Sequence, residues 1–510
     1  MKRIHFRAAT LLAVAFASAA PADEPEIPAF KAYDLLTYTL VTHDEYTASQ
    51  IPGQTARIDA FLTQQLATPV HTPNLPTKVL VLPYKLTHRY FEVRDEVITD
   101  FVPARFANYM ILRHSKNSHE IRNQLFHNYT HAFIRSQMKR YCPLWLEEGM
   151  ATLISFSRFY YDEMEIGMPV DFSAPWIPLA RLFEIDRDSP EYNGARQNVS
   201  IHPGSWALVH MAFIEDPAFN KQLFDFLAAL NNFNPLEKAV PQSFGMSVDE
   251  LDQRVRRYEQ SLARRTDAIF QVKIPPVPDP RTPPGRALSE PESLVLMAEA
   301  MLAAGTYPER LSELIDAAHR KAPDSPKVLA LRMQLAVRDR DDVALARLQS
   351  ESEPRAMEPE VARAVGLALF ERVHETKAGD TLSSADRERM SRKAFQFLDR
   401  AVMSKPDDIE SIWGYAMLAA RLKQDLATAL KRVDSGLAIA DHNADLAMAA
   451  ALIYEAQGEQ KKMIPFLVVT ARMTAEPKTR EWALKRVNDV LAAQATAPAA
   501  APAATPAAKN

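Results

Sequence analysis

The chain has 510 residues, of which 47% are hydrophobic and 24% charged, and a formal net charge of -4. That balance belongs to a globular protein of two or three domains and excludes a chain disordered throughout. It gives no general reason to expect nucleic acid as a partner, and the lone Cys142 excludes an intramolecular disulfide.

At the N-terminus, Lys2, Arg3 and Arg7 precede the apolar run Ala8–Ala17, and Ala20-Pro21-Ala22 offers a small-x-small cleavage site before Asp23. This is the pattern of an export signal over residues 1–22. An N-terminal anchor helix is the alternative, but the run is short for a bilayer, and no other stretch reaches about 18 apolar residues. The expectation is a periplasmic or secreted protein with no integral membrane segment after cleavage.

From residue 30 to about 115, short strand-like runs alternate with a helix. Tyr38–Thr42, Lys78–Tyr84 and Asn108–Arg113 read as strands, and Ile58–Leu66 as an amphipathic helix. The next helix carries His127-Asn128-Tyr129-Thr130-His131. Two histidines four residues apart share a helix face one turn apart, so both imidazoles can reach one ion. The bland alternative is a pair of satisfied core histidines beside the stripe Ile121, Leu125 and Ala132. Cys142 is a conceivable thiolate ligand, although a small loop side chain is the simpler reading.

A further helix begins near Pro143 and runs through Trp145-Leu146-Glu147-Glu148-Gly149-Met150-Ala151. The histidine pair followed by this Pro-x-Trp-Leu-x-Glu-Gly-x-Ala segment resembles the gluzincins, the thermolysin-clan (peptidase MA-like) zinc metallopeptidases. The resemblance covers about residues 35–262 and implies a Zn2+ site made by His127, His131 and Glu148. Glu147 would then point about 100° away, towards solvent. It further implies that an edge strand pairs with an extended polypeptide substrate. Asn108–Arg113, or the strand beside it, is the candidate, with Asn108, Met110 and Leu112 as substrate-binding residues. Two positions depart from the family pattern. Asn128 stands where the family has its general-base glutamate, making the His-Glu-x-x-His motif degenerate. His202 stands where the family usually has a tyrosine, and it is a candidate donor to a bound carbonyl; an ordinary loop histidine is the alternative. His210 falls among apolar residues and reads as core.

Pro275–Pro284 forbids helix and sheet and reads as a semi-rigid spacer. From Glu290 to Leu491 helical segments come in pairs, with turn signals at Pro406, His442 and Pro477 about every 35 residues, which resembles the tetratricopeptide repeat. Stacked helix pairs of this kind bind a partner segment or brace a neighbouring domain. The expected fold is therefore an α+β peptidase-like domain over 30–265, a small sheet followed by metal-site helices. A Pro-rich linker over 266–288 leads to an all-α tetratricopeptide-like solenoid over 289–491. A disordered Ala/Pro tail closes the chain over 492–510.

In a working zinc peptidase the metal acidifies its bound water and a glutamate takes the proton. Asn128 has no basic lone pair near neutral pH, and losing a positioned base costs about 10²–10⁴ in rate. Three readings follow, in this order. The first is a metal-binding pseudopeptidase that holds an extended polypeptide. The second is an active hydrolase whose base is relocated, for example to Glu163 or Glu165. In the third, the metal site is a relic and the solenoid acts as scaffold or adaptor in the cell envelope.

Overall fold

The computed structural model describes residues 26–496 apart from 69, 71–74, 94–95, 98–100, 115–117, 167–174, 193–199, 264–269, 278–280, 306–307, 375–379, 381 and 475. The stretch 1–22, where an export signal is expected, and the tail beyond 496 lie outside the described residues. Among the described residues no helix is long and apolar enough to cross a membrane.

The first part of the chain is an α+β unit. Its elements begin with β1 (Lys31–Asp34), β2 (Thr39–Thr42), α1 (Glu45–Leu66), β3 (Thr77–Leu82) and α2 (Tyr84–Phe91). A two-residue pair follows, β4 (Glu92–Val93) with β5 (Glu96–Val97), then β6 (Phe101–Pro103), β7 (Asn108–Arg113) and α3 (Ser118–Gln137). Next come α4 (Leu144–Ser155), β8 (Ser157–Phe159), β9 (Glu163–Ile166), α5 (Leu179–Leu182) and α6 (His202–His210), which runs on into a π-helical turn. The unit continues with α7 (Pro217–Asn231), α8 (Leu236–Phe244), α9 (Val248–Ala263), β10 (Phe270–Lys273) and β11 (Arg286–Ala287). Helix α1 starts well before the amphipathic stretch read at Ile58. Asp44 caps it by accepting from the Thr47 amide at 2.7 Å, and Pro52 and Gly53, poor helix formers, hide its first turns in the sequence.

The main sheet has the order β11-β1-β2-β3-β7-β6. Its centre, β2-β3-β7, is parallel, and side chains alternate between two cores, as a pleated strand requires. Val79, Val81, Met110 and Leu112 face the layer of α1 and α3, while Leu80, Leu82, Tyr109 and Ile111 face the opposite side. Strand β7 is hydrogen-bonded on both sides, to β3 and to β6. It cannot add a substrate strand, and Asn108, Met110 and Leu112 are fully buried. The strand beside it, β6, is the edge.

The remaining helices form an all-α array: α10 (Glu290–Ala304), α11 (Pro308–Lys321), α12 (Pro326–Asp339), α13 (Asp342–Ser352), α14 (Pro359–His374) and α15 (Ser384–Ser404). It ends with α16 (Ile409–Leu422), α17 (Leu426–Ile439), α18 (Ala444–Ala456), α19 (Gln460–Met473) and α20 (Pro477–Thr496). Helices α12, α14, α16 and α18 each touch the next, making one continuous layer.

Three expectations about the boundaries need correction. The segment 266–288 is no free spacer: its ends supply β10, which pairs with β9, and β11, which pairs with β1. The array is not separate from residue 289 onward, because α10, α11 and α12 share a core with the second face of the sheet. Residues 492–496 belong to α20 rather than to the tail. The layer containing α16 is also occupied by this chain. The tip of the β6–β7 hairpin carries Phe106 onto Trp413 (ring centroids 5.3 Å apart), and Arg105 lies 4.5 Å over the same indole.

Candidate metal centre

Helix α3 buries Leu125, Phe126, Ala132 and Phe133 in the core beneath the sheet. That orientation turns His127 and His131 toward α4. There, Glu148 is 2% exposed and its Oε2 lies 3.6 Å from Nε2 of each histidine; the two Nε2 atoms are 3.1 Å apart. A triangle with these sides has its centre about 2.0 Å from every corner, the bond length of a small transition-metal ion to imidazole nitrogen and carboxylate oxygen. Among the described residues, this is the group of histidine, cysteine and carboxylate side chains that could hold a metal ion. Cys142 stands outside it. Burial pushes its thiol well above the usual range, opposing the thiolate a metal needs.

Glu147 does not face solvent. All twelve residues of α4 are buried, so the helix has no wet side, and Glu147 accepts from His131 Nδ1 at 2.8 Å. Arg187 Nη2 donates to both Glu147 oxygens at 2.7 Å. Burial alone would raise the Glu147 carboxyl, but the Arg187 charge and the His131 bond outweigh it and hold it at about 2. A permanently ionised acceptor on Nδ1 fixes the proton there and leaves the Nε2 lone pair facing Glu148 and His127. Burial lowers the His131 imidazole, and the two carboxylates overcome that, so the net direction is upward. Burial and the neighbouring His131 push His127 well below its usual range, which keeps it neutral and able to ligate.

Two residues of the irregular segment after α5 complete this support. Arg187 is the counter-charge of Glu147, and the Tyr192 hydroxyl donates to Glu148 Oε1 at 3.0 Å, opposite the oxygen facing the histidines. Asp186 stiffens the segment by accepting from the Ser189 hydroxyl and the Asp188 amide. Sequence reasoning missed Arg187 and Tyr192, because no spacing rule ties a loop to a helix some forty residues upstream. Glu147 did leave a signal. A helix reading Leu-Trp-Leu-Glu-Glu-Gly-Met-Ala-Thr-Leu-Ile-Ser has no polar face, so its charges must be paired inside.

His202, the first residue of α6, lies beside Glu148 but outside the group: its Nδ1 is 3.7 Å from Glu148 Oε2 and 3.3 Å from the Thr152 hydroxyl. Asn128 is buried on α3 between the two ligands. Its amide has no proton-accepting role to offer. Glu163 pairs with Lys273, and Glu165 accepts from Tyr160 on the β8-β9-β10 sheet. Phe101 of the edge strand β6 stacks on the His131 ring, centroids 5.7 Å apart, so the sheet edge runs past the ligands. His210 is buried and hydrogen-bonded to Tyr258, a core residue as its sequence context suggests. No protein-family model matches the chain, and no curated protein matches it.

Proposed function

We propose that this protein is an exported, zinc-binding, gluzincin-like pseudopeptidase that holds an extended polypeptide along β6 without cutting it. The observation that carries this reading is the combination at α3. Two histidines converge with Glu148, and Glu147 sets the tautomer of His131, while the residue between them that would activate water is an asparagine. The edge strand β6 supports the polypeptide part. Among the described residues no strand pairs with its outer side, which suits strand addition, and its Phe101 lies against a ligand. The tetratricopeptide-like array supports this unit by covering the sheet. Location in the periplasm or beyond rests on the N-terminal signal.

The test is elemental analysis of the untagged protein beginning at Asp23, compared with His127→Ala and Glu148→Ala, together with digestion of unfolded casein. We expect about one zinc per chain, lost in both variants, and intact casein. Cleavage that a chelator abolishes would replace this reading with an active hydrolase using another base. A wild-type protein that takes up no metal from added zinc would leave the scaffold reading.

A further inference from the structure

Past Phe101 the sheet edge leads into a cleft. Two adjoining cavities, of about 390 and 520 Å³, lie between the end of α3, the segment after α5 and the joint of α19 with α20. They share Arg135, Met138, Arg187, Met473, Glu476 and Pro477 as wall. The larger one begins at Pro103 and Ala104, where β6 ends. Pro103 has no N–H to offer an added strand, so a polypeptide paired with β6 leaves the sheet where the cleft begins. Charge along the wall is unevenly matched, because four guanidiniums reach no carboxylate among the described residues. Arg135 Nη2 donates to Ala104 O at 2.8 Å, and its buried Nε has no acceptor. Arg140 and Arg472 donate to the carbonyls of Leu66 and Asn231, and Arg480 lies 3.6 Å over the Tyr141 ring. The neighbouring carboxylates are engaged elsewhere: Glu147 by Arg187, Glu184 by Arg181, Glu476 by Arg105, and Asp186 by the Ser189 hydroxyl. Glu481 is exposed.

We propose, resting on the polypeptide-binding reading above, that this cleft continues the track of β6 and takes an acidic residue with apolar neighbours from the bound polypeptide. The carboxylate goes to the guanidiniums that have none of their own, which offer paired N–H donors suited to it. A guanidinium drawn out of water without an anion is costly, and an incoming carboxylate removes that cost at Arg135. The acids already in the wall disfavour a doubly charged group such as a phosphate, so a single carboxylate fits better. Ile134, Met138, Phe183 and Ile185 line the same cavity and receive the apolar neighbours. Arg187 stays with Glu147, so the selection does not draw on the support of the metal ligands.

The deciding experiment is fluorescence anisotropy on the full mature chain with short labelled peptides whose termini are blocked. Each peptide has the same Val/Thr stretch for β6 and an end of Glu and Leu, placed at either terminus in separate peptides. Control peptides carry Gln or Lys in place of Glu. The Glu peptide should bind wild type at least about tenfold more tightly than the Gln peptide, the worth of one hydrogen bond to a charged group. The Lys peptide should bind more weakly still. Arg135→Gln and Arg480→Gln should each erase most of the Glu advantage. Arg480→Gln removes a half-exposed charge, so it reports even where Arg135→Gln fails to fold. Equal affinity for the Glu and Gln peptides would overturn the acidic selection and leave the β6 reading intact. A Glu preference that survives both substitutions would move its origin out of this cleft, and failure of every peptide to bind would remove both readings.

Discussion

A histidine binds a cation only through a nitrogen that carries no proton, and at His131 that nitrogen is chosen by Glu147. The carboxylate of Glu147 is itself fixed by Arg187, so three residues from two helices and a loop act on one lone pair. Glu147→Gln keeps the size of the side chain and an oxygen for Nδ1–H. It removes the charge that Arg187 bonds to, and lets the amide present its NH2 to the ring instead. The expected outcome is a fall of about 10–100-fold in zinc affinity, the usual effect of disturbing a ligand's outer partner, measured by competition with a coloured chelator. Unchanged affinity would mean that the tautomer is set by the metal alone. Residues of this kind were only partly legible. The histidines and Glu148 follow a spacing rule, whereas the angle of Glu147 on a helical wheel points it to solvent. That angle says which way a side chain leaves its helix, not whether another segment lies there.

At the scale of elements, the metal helix is tied to the rest of the domain by a polar joint as well as by packing. The Tyr129 hydroxyl, between the two ligands on α3, donates to Asp59 of α1 at 2.8 Å and lies 2.9 Å from the Thr37 hydroxyl. The Tyr38 ring lies edge-on to that of Tyr129. Burial raises the Asp59 carboxyl from 3.8 to about 7, and the Tyr129 bond offsets only part of that. The folded state thus holds this proton more tightly than the unfolded chain does. Its contribution to stability is complete below the unfolded value, falls as pH rises from about 4 to about 7, and stays constant above. The full effect is at most about 4 kcal/mol, less where water screens the carboxylate. Asp59→Asn cannot ionise, so the stability of wild type relative to this variant should decline across that interval in paired thermal melts. A difference that stays flat from pH 4 to 8 would show that Asp59 titrates in the ordinary carboxylate range. The long elements α3 and α4 and the strand β7 were legible because period and composition persist over many residues. Strands β6, β10 and β11 were not. They are two to four residues long, and β10 and β11 pair with strands more than a hundred residues away, so no local pattern marks them.

For the whole molecule, the question is whether the helical array is a separate module or part of one folded body. The proline run suggested a spacer, yet β11 extends the main sheet just before α10, and Gly285 packs its backbone against the Tyr33 ring. Polar ties reinforce the joint: Lys78 with Glu299, Arg89 with Glu313, and Arg105 with Asp445 and Glu476. Exposed or half-exposed pairs contribute little each, so the apolar contacts decide the matter. Val41, Leu80, Leu82, Val102, Tyr109 and Ile111 are buried against a core to which α10, α11 and α12 contribute. Each such side chain gains about 1.5–3 kcal/mol from full burial. Uncovering even most of them costs on the order of 10 kcal/mol, which matches the 5–15 kcal/mol that hold an entire domain folded. A chain ending at residue 288 should therefore be insoluble or bind a hydrophobic dye, and the full mature protein should unfold in a single calorimetric transition. A soluble, cooperatively folding fragment 26–288 with the metal affinity of the whole would show instead that α2 alone covers the second face. Under the single-body outcome, Phe106 against Trp413 transmits the position of the array to the β6–β7 hairpin. The same hairpin holds Phe101 against His131, so the helices far from the metal set the edge along which a polypeptide would lie.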